Sequence, residues 1–501
     1  MTETVIELRR HLAELTDLRN TVQLLQWDQQ TMMPPRGAEL RADELGTVQR
    51  ILHERFVSAQ TGRLLDEAQD QLNGASPDSD EARMITVVRR RWEKARRVPS
   101  ELAAELARAA SLGQEAWVEA RANSDFASFL PFLREGLELK RRYIACFDGY
   151  ETAYDVLLDD FEPGMRTAEV TELFAELKAE LVPLIAAVSE RAGAVDDSCL
   201  HGTFPLETQR RLVVDVVSRM GFDPASWRLD DTVHPFATSL GSSDVRITTR
   251  WDETFLPMAL YGSMHECGHG LYEAGIDPSL RRTPLGSGEA LGLHESQSRL
   301  WENMVGRGRP FADYLAPRIA ELFGGSLSGL EPEGFYRAVN RVHPSFIRVE
   351  ADEATYSLHI ILRFELEQEL IDGRIALEDL PAVWNERFRS YFGLEVPDDA
   401  RGVLQDVHWA AGLIGYFPTY AIGNLVAGQL WERVRRDLPD LDAQMSAGEL
   451  MALREWLREH VHRHGSKWGA REVLERVTGA PLAVAPFMTY LKGKVGPIYG
   501  V

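Results

Sequence analysis

A chain of 501 residues can bury a large core, and its composition, 44% hydrophobic and 26% charged, is typical of a globular protein rather than a disordered one. The formal net charge of −22 argues against nucleic acid as the main partner, because such a surface repels phosphate backbones. Three cysteines at unrelated spacings predict no disulfide framework and favour the reducing cytoplasm.

The amino-terminal segment predicts an amphipathic helix. Leu8, Leu12 and Leu15 begin an apolar stripe at helical spacing, which continues through Val22 and Leu25. The segment contains no apolar core of signal-peptide length, and no run of about 18 apolar residues follows it. We therefore predict a protein that is not exported by such a signal and has no membrane partner.

Helical periodicity dominates the rest of the chain. We find no internal repeat and no long linker rich in Pro, Gly or Ser, so the sequence marks no separable domains. The prediction is a mostly helical single domain over residues 1–501. Further amphipathic stripes occur at residues 101–145, 165–192, 311–324, 353–371 and 443–460.

Residues 228–255 break the helical pattern. In "DVRITTRW", Val245, Ile247 and Thr249 alternate with polar residues, and a turn sequence at Gly241 precedes them. We predict a small antiparallel sheet over residues 228–250. Such a strand beside a metal-binding helix can pair with an extended peptide through its backbone.

The motif "HECGH" follows on a predicted helix. His265 and His269 are four residues apart, so both rings leave the same face and can bind one Zn²⁺. Glu266 lies beside them, where it can act as a general base rather than a ligand. An ordinary helix with two hydrogen-bonded histidines explains this short pattern equally well, and a catalytic zinc site needs a third protein ligand.

The third ligand is expected on another element. A metzincin-type motif requires a glycine and a third histidine where this chain has Tyr272 and Gly275. Glu273 lies too far along the helix axis to reach a metal centred between the two histidines. A second predicted helix offers Glu289 in its first turn and Glu295 well inside it, and the rigid interior position makes Glu295 the better candidate.

Six short motifs are intact in this chain and occur in a specific order. Any one of them alone is a weak signal, whereas the ordered set is highly specific. They are "HPF" (234–236), "DVRIT" (244–248), "HECGH" (265–269), "HESQS" (294–298), "IRVEAD" (347–352) and "GVLQDVHW" (402–409).

This set resembles the carboxypeptidase Taq family of zinc metallocarboxypeptidases, and the resemblance runs from end to end. It implies a mostly helical, saddle-like fold with a deep central groove, a small sheet beside the active site, and a homodimer. The region 1–125 is then expected to flank the groove, and 126–501 to form the catalytic body with the metal helices at 256–305. The resemblance also makes Glu295 the third ligand of one Zn²⁺ per chain, for which Co²⁺ could substitute.

The resemblance further points to His408, Tyr416 and Tyr420 as donors to the oxyanion that develops during peptide hydrolysis. Taken alone, His408 is more often a hydrogen-bonded core histidine, and the tyrosines are more often packing residues. The sequence does not decide which of the two tyrosines stabilises the oxyanion.

Arg348 is implied by the same resemblance to bind the free C-terminal carboxylate of the substrate through its guanidinium fork. The structural alternative pairs Arg348 with Glu350 or Asp352 on the surface. Arg246 on the predicted strand is a second candidate for substrate contact, with an ion pair to Asp244 as an equal alternative.

Two further side chains near these motifs have open roles. His234 is predicted either to line the groove and contact substrate or to make a structural hydrogen bond. Cys267 lies two residues from each motif histidine, so it faces away from the metal and is expected to be a buried thiol.

The sequence therefore predicts a cytoplasmic metallocarboxypeptidase that removes C-terminal residues one at a time from short peptides, with broad specificity and Glu266 as the general base. One alternative is a zinc oligopeptidase or dipeptidyl carboxypeptidase that uses the same residues at a different register. A non-catalytic peptide-binding scaffold is a third hypothesis, against which the intact Glu266 argues.

Overall fold

The computed structural model describes residues 3–72, 74, 76–288 and 290–501 and confirms the prediction of a mostly helical fold. Among these residues no helix is both long and apolar enough to cross a membrane. The helices before the sheet are α1 (Glu3–Thr31), α2 (Ala38–Phe56), α3 (Ala59–Gln71), α4 (Asp80–Arg97), α5 (Ser100–Asn123), α6 (Phe126–Ile144), α7 (Ala153–Leu158), α8 (Thr167–Ser189) and α9 (Leu206–Met220).

The helices that follow the sheet include the two that carry the predicted metal ligands. Short 3₁₀ turns aside, they are α10 (Pro257–Gly275), α11 (Leu291–Arg299) with a π-helical extension (Leu300–Gly306), α12 (Arg309–Phe323), α13 (Pro332–Val339), α14 (Glu353–Ile371), α15 (Leu380–Phe392), α16 (Pro418–Asp437), α17 (Leu441–Ser446), α18 (Met451–His460), α19 (Ala470–Thr478) and α20 (Ala485–Tyr499).

The sheet has three strands, β1 (Trp227–Asp231), β2 (Ala237–Ser239) and β3 (Val245–Thr249), in the order β1–β3–β2. β2 and β3 pair antiparallel, but β1 pairs with β3 in parallel, so the prediction of an antiparallel sheet is wrong for β1. The reason is the connection after β1, which carries the chain past β3 to the far edge before the turn at Gly241 brings it back into the middle. The sheet is therefore mixed.

Two hydrophobic clusters fill the interior. The larger one spans the chain from α5 to α20 and includes the buried strand residues Val245 and Ile247. The smaller one is built on the stripe of α1, in which Leu8, Leu12 and Leu15 are buried as predicted. It also contains residues from α3 and α4 and three side chains from the segment after α10, namely Ile276, Leu280 and Leu285.

Glycines allow the site helices to pack closely. A Cβ on Gly268 of α10 would lie 2.7 Å from the Cα of Ser298 on α11, so only glycine fits between these helices. A Cβ on Gly423 of α16 would lie 2.7 Å from Cγ of Glu295. α10, α11 and α16 thus meet at one place, and the predicted ligands lie on their shared faces.

Candidate active site

The structure brings the three predicted metal ligands together. His265 and His269 on α10 and Glu295 on α11 each offer one ligand atom, and these atoms all lie within 4.8 Å of one another. The Nε2 atoms of the two histidines lie 3.7 and 3.5 Å from Oε2 of Glu295. We call these three residues the ligand set.

The ligand set fits a divalent zinc-like cation. Two imidazole nitrogens and one carboxylate oxygen are a common donor set of catalytic zinc sites. Donors bound tetrahedrally at about 2 Å lie roughly 3.3 Å apart, close to the separations seen here.

A second layer of side chains orients both histidines. His265 contacts Oε2 of Glu302 through Nδ1 at 3.0 Å. His269 contacts Nδ1 of His294 through its own Nδ1 at 2.6 Å, and Nε2 of His294 lies 2.9 Å from Oε1 of Glu273. Each ligand histidine is therefore held at Nδ1, and its Nε2 faces the other members of the ligand set.

Glu295 is held by a cation of its own helix. Arg299 donates through Nε to Oε1 of Glu295 at 2.7 Å, which leaves Oε2 for the ligand set. The Arg299 guanidinium lies 4.2 Å from the centre of the Tyr356 ring. Burial opposes the charge of Glu295, but Arg299 and the two histidines outweigh it and lower its pKa, so a carboxylate is available to a cation.

The two histidines have opposite pKa shifts in the absence of a cation. Burial lowers the pKa of both. At His265 the charges of Glu295 and Glu302 outweigh burial and raise the pKa to about 9, whereas at His269 burial prevails and lowers it to about 4. A bound cation must therefore displace a proton from His265.

Glu266 is buried on α10 beside the ligand set, with 7% of its surface exposed. Burial, with the neighbouring charge of Glu295, raises its pKa to about 7. A carboxyl group that exchanges its proton near neutral pH is suited to general acid–base chemistry.

An irregular segment, residues 393–417 between α15 and α16, carries His408 and Tyr416, and Tyr420 follows in the first turn of α16. Nε2 of His408 lies 3.3 Å from the hydroxyl of Tyr420, and the two tyrosine rings are 5.3 Å apart. Burial and the charge of Glu295 raise the pKa of Tyr416 to about 12, so this hydroxyl keeps its proton. The three predicted donors thus form one group beside the ligand set.

Arg348 is buried and pairs with Asp406, not with Glu350 or Asp352 as the structural alternative supposed. Its Nε and Nη2 donate to Oδ1 of Asp406 at 3.1 and 2.8 Å, and Nη1 donates to the hydroxyl of Tyr356 at 2.9 Å. Asp352 instead caps α14, because its carboxylate accepts from the first backbone N–H groups of that helix.

Asp406 also accepts from a second arginine. Nε of Arg363, which is fully buried in α14, donates to Oδ2 of Asp406 at 2.7 Å. One carboxylate thus neutralises one of two buried guanidiniums, and a surplus positive charge remains next to His408. Burial, together with the two guanidiniums, outweighs the charge of Asp406 and lowers the pKa of His408 to about 4, so the ring is neutral.

Glu367 anchors the end of the irregular segment. Its carboxylate accepts from Nε1 of Trp409 at 2.9 Å and from the backbone N–H of Gly415 at 3.0 Å. The hydroxyl of Tyr154 donates to it at 2.6 Å. These bonds fix the irregular segment just before Tyr416.

Three other predicted side chains have no hydrogen bond or ion pair with the ligand set among the described residues. Arg246 donates to both carboxylate oxygens of Asp244 at 2.9 and 3.0 Å, and its guanidinium lies 4.3 Å from the Trp27 ring centre. His234 is exposed on the connection between β1 and β2. Cys267 is fully buried, as predicted, while Glu289 lies outside the described residues.

Sequence reasoning missed the supporting residues Glu302, His294, Arg299 and Asp406. A helix-face argument would have indicated Glu302, which lies seven residues after Glu295 and so on the same face. Asp406 gave no such signal, because its partners come from another part of the chain.

The chain is similar over its whole length to known carboxypeptidases. A family model described as carboxypeptidase Taq (M32) metallopeptidase matches residues 7–495. Thermostable carboxypeptidase 1 of Thermus thermophilus is 41% identical, covering 99% of both chains, and carboxypeptidase 1 of Bacillus subtilis is 38% identical, covering 97% of both. The crystal structure of an M32 carboxypeptidase from Deinococcus radiodurans R1 has a TM-score of 0.97 and 41% identity over the whole of both chains.

Proposed function

The chain belongs to the carboxypeptidase Taq (M32) family of metallopeptidases, and we propose that it removes C-terminal residues one at a time from short peptides of varied sequence, with Zn²⁺ as its metal. That it is a metallocarboxypeptidase follows from the family, as the sequence predicted. The observation that supports the finer proposal is the ligand set, with a buried Glu266 beside it.

His265, His269 and Glu295 would hold the ion, one per chain. When bound there, Zn²⁺ or a substituting Co²⁺ supplies a Lewis acid that polarises the scissile carbonyl and lowers the pKa of water. Glu302 and His294 hold the two imidazoles in the orientation that this binding needs.

Glu266 is the proposed general base. It takes a proton from the attacking water and later delivers it to the leaving amine. Its raised pKa suits both steps, because the carboxylate and the acid are both accessible near neutral pH.

His408, Tyr416 and Tyr420 are proposed to stabilise the developing oxyanion. The low pKa of His408 and the raised pKa of Tyr416 favour neutral forms of both side chains, which can serve as hydrogen-bond donors. Each well-placed donor contributes about 3–4 kcal/mol to such a transition state. The contact of His408 with Tyr420 supports a shared role of these two side chains at the oxyanion. Either tyrosine can serve as the further donor.

Arg348 is proposed to bind the C-terminal carboxylate of the substrate. A guanidinium has five N–H donors, and the bonds to Asp406 and Tyr356 use three of them. One donor on each Nη is left, which is the fork that a second carboxylate accepts. The surplus charge from Arg363 favours an anion at this position.

Arg246 and His234 are proposed to lie along the groove and contact the substrate away from the scissile bond. A homodimer and a cytoplasmic location complete the proposal. They rest on the family resemblance and the cysteine content, and light scattering on the purified protein tests the dimer.

The main test combines metal analysis with mass spectrometry of digested peptides. We expect about one zinc per chain and a ladder of single-residue losses from the C-terminus, abolished by a chelator and restored by Zn²⁺. The same peptides with amidated C-termini should be resistant. Equal cleavage of both forms would favour an oligopeptidase, and losses of two residues per step a dipeptidyl carboxypeptidase.

A further inference from the structure

A cavity of about 400 Å³ opens beside the ligand set and takes no part in the function proposed so far. α1 forms one wall, β2 with the turn after it forms another, and α10 and the segment 281–287 close it. His269 and His294 line the same space, so the cavity adjoins the ligand set. We call it the Arg19 cavity after the α1 residue that faces it.

Arg19 is a half-buried cation that has no hydrogen bond or ion pair within the part of the chain that the structure describes. Most other arginines near it are occupied: Arg282, for example, pairs with Asp17. Burial and the nearby Arg91 lower the pKa of Arg19, but a guanidinium keeps its charge at neutral pH. An arginine that is partly removed from water and has no counter-ion is a binding group for an anion.

The other charges of the cavity add to this preference. Glu273 is the only acidic side chain among the described lining residues, and its Oε1 already accepts from the backbone of Gly288 and contacts His294. Arg281 has only a neutral partner there, the hydroxyl of Ser242 at 3.0 Å. The described residues that line the cavity therefore carry a positive charge in a chain whose net charge is −22.

The neighbours of Arg19 fix the backbone of α1 beside the cavity. Asp17 accepts from Nε of Arg282 at 2.9 Å, and Asn20 donates to the backbone carbonyl of Leu240 at 2.9 Å. These bonds tie α1 to two walls of the cavity on either side of Arg19. The backbone at Arg19 is therefore fixed beside the cavity, which the Arg19 side chain lines.

The position of the cavity fixes which part of a peptide would reach it. The cavity is lined by His269, whereas Arg348 contacts Tyr356, whose ring lies against Arg299 on the Glu295 side of the ligand set. With the C-terminal carboxylate at Arg348, residues on the amino-terminal side of the scissile bond lie toward the cavity.

We propose that the Arg19 cavity binds the acidic side chain of a substrate residue on the amino-terminal side of the scissile bond, with Arg19 pairing with its carboxylate. The inference rests on the proposed function, since it names a preferred substrate class for the same site. Within a broad specificity, peptides with Asp or Glu before the scissile bond are then better substrates than their neutral isosteres.

The test uses the zinc-loaded full chain and five-residue alanine peptides. A single Glu or Gln is placed in turn at each of the three positions before the C-terminal residue, and kcat/KM for release of that residue is measured. For the unmodified protein we expect Glu to be preferred over Gln by about tenfold at one of these positions.

Arg19→Met keeps the apolar stem of the side chain and should lose this preference while changing kcat/KM for the Gln peptide less than twofold. Arg19→Lys keeps a charge and should retain part of the preference. Arg211→Met is the matched control: it removes one exposed arginine that lies outside the cavity and has no acidic partner among the described residues, and it should behave as the unmodified protein.

Equal rates for Glu and Gln peptides at all three positions would overturn the inference. So would a uniform loss of activity on every peptide in Arg19→Met, because that pattern would assign Arg19 to the C-terminal carboxylate or to the fold. These results differ from failure of the proposed function itself, in which no peptide of the series loses a single C-terminal residue.

Discussion

The ligand set and the irregular segment at residues 393–417 contribute to the same site, but they are fixed by different means. The ligands project from regular helices, where spacing along the chain determines direction in space. His408 and Tyr416 lie on backbone without such a repeat, and the buried carboxylates of Asp406 and Glu367 hold it in place. The proposed metal ligands therefore depend on local helix geometry, whereas the proposed oxyanion donors depend on buried carboxylates that bond to residues far away in the sequence.

The largest effect on activity is expected for a residue of helix α10. Glu266→Gln removes the proposed base and should lower kcat by about 10²- to 10⁴-fold, because proton transfer by a positioned side chain contributes that much. Zinc content, measured by atomic emission, should not change, since Glu266 is not a ligand. Full activity in this variant would show that another group is the base.

Asp406→Asn should destabilise the irregular segment. This change leaves two buried guanidiniums without their shared counter-charge, and we expect the free energy of unfolding to fall by about 3–5 kcal/mol. Denaturant titration measures it. Asp398→Asn, which breaks an exposed pair with Arg401 in the same segment, is the matched control and should cost no more than about 1 kcal/mol.

A smaller effect is expected for the side chains that orient the ligand set. Glu302→Gln removes the charge behind His265 and should weaken zinc binding by about 10- to 100-fold. It also removes the counter-charge of Arg307, so some loss of stability should accompany the loss of affinity. Competition with a chromophoric chelator measures the affinity. Glu321→Gln, at an exposed pair with Arg318, should bind zinc normally; an equal loss in both variants would contradict the role of Glu302.

The smallest effect is a pH dependence of the irregular segment. Burial raises the pKa of Glu367 from its ordinary 4.5 to about 7, although three donors act against the shift. The native state therefore holds this proton more tightly than the unfolded chain, and the associated stability is lost as pH rises from about 5 to about 7.

Glu367→Gln is neutral at every pH and should lack this slope. The Tm of the unmodified protein relative to that of the variant should fall by a few degrees between pH 5 and pH 8 in calorimetry. A constant difference across this range would mean that Glu367 is ionised in the native state throughout.

The sequence alone predicts the side-chain positions that follow from the period of a helix. The i, i+4 spacing of His265 and His269 and the rejection of Glu273 as a ligand both use helix geometry. Glu295 is preferred because it lies in the rigid interior of the second helix and because the family resemblance points to it. The structure brings these ligands together and gives Glu273 a different contact, to His294. The proposed oxyanion donors on the irregular segment could be predicted only from the family motifs, because that segment has no regular period.

The sequence was insufficient where a contact joins distant residues. The partner of Arg348 is 58 residues away and lies on backbone without a repeat, whereas proximity in the sequence favours the acids Glu350 and Asp352. The prediction of antiparallel pairing for β1 was wrong for a related reason. Alternation predicts which residues form a strand, but it does not predict the edge of the sheet at which the next strand lies.

The smaller hydrophobic cluster has a consequence for biosynthesis. Its α1, α3 and α4 side chains come from the first hundred residues, yet Ile276, Leu280 and Leu285 pack among them. A ribosome that adds about 5–20 residues per second takes many seconds to reach these three side chains. Part of the apolar surface of the first helices therefore stays uncovered until the segment that follows α10 has been made.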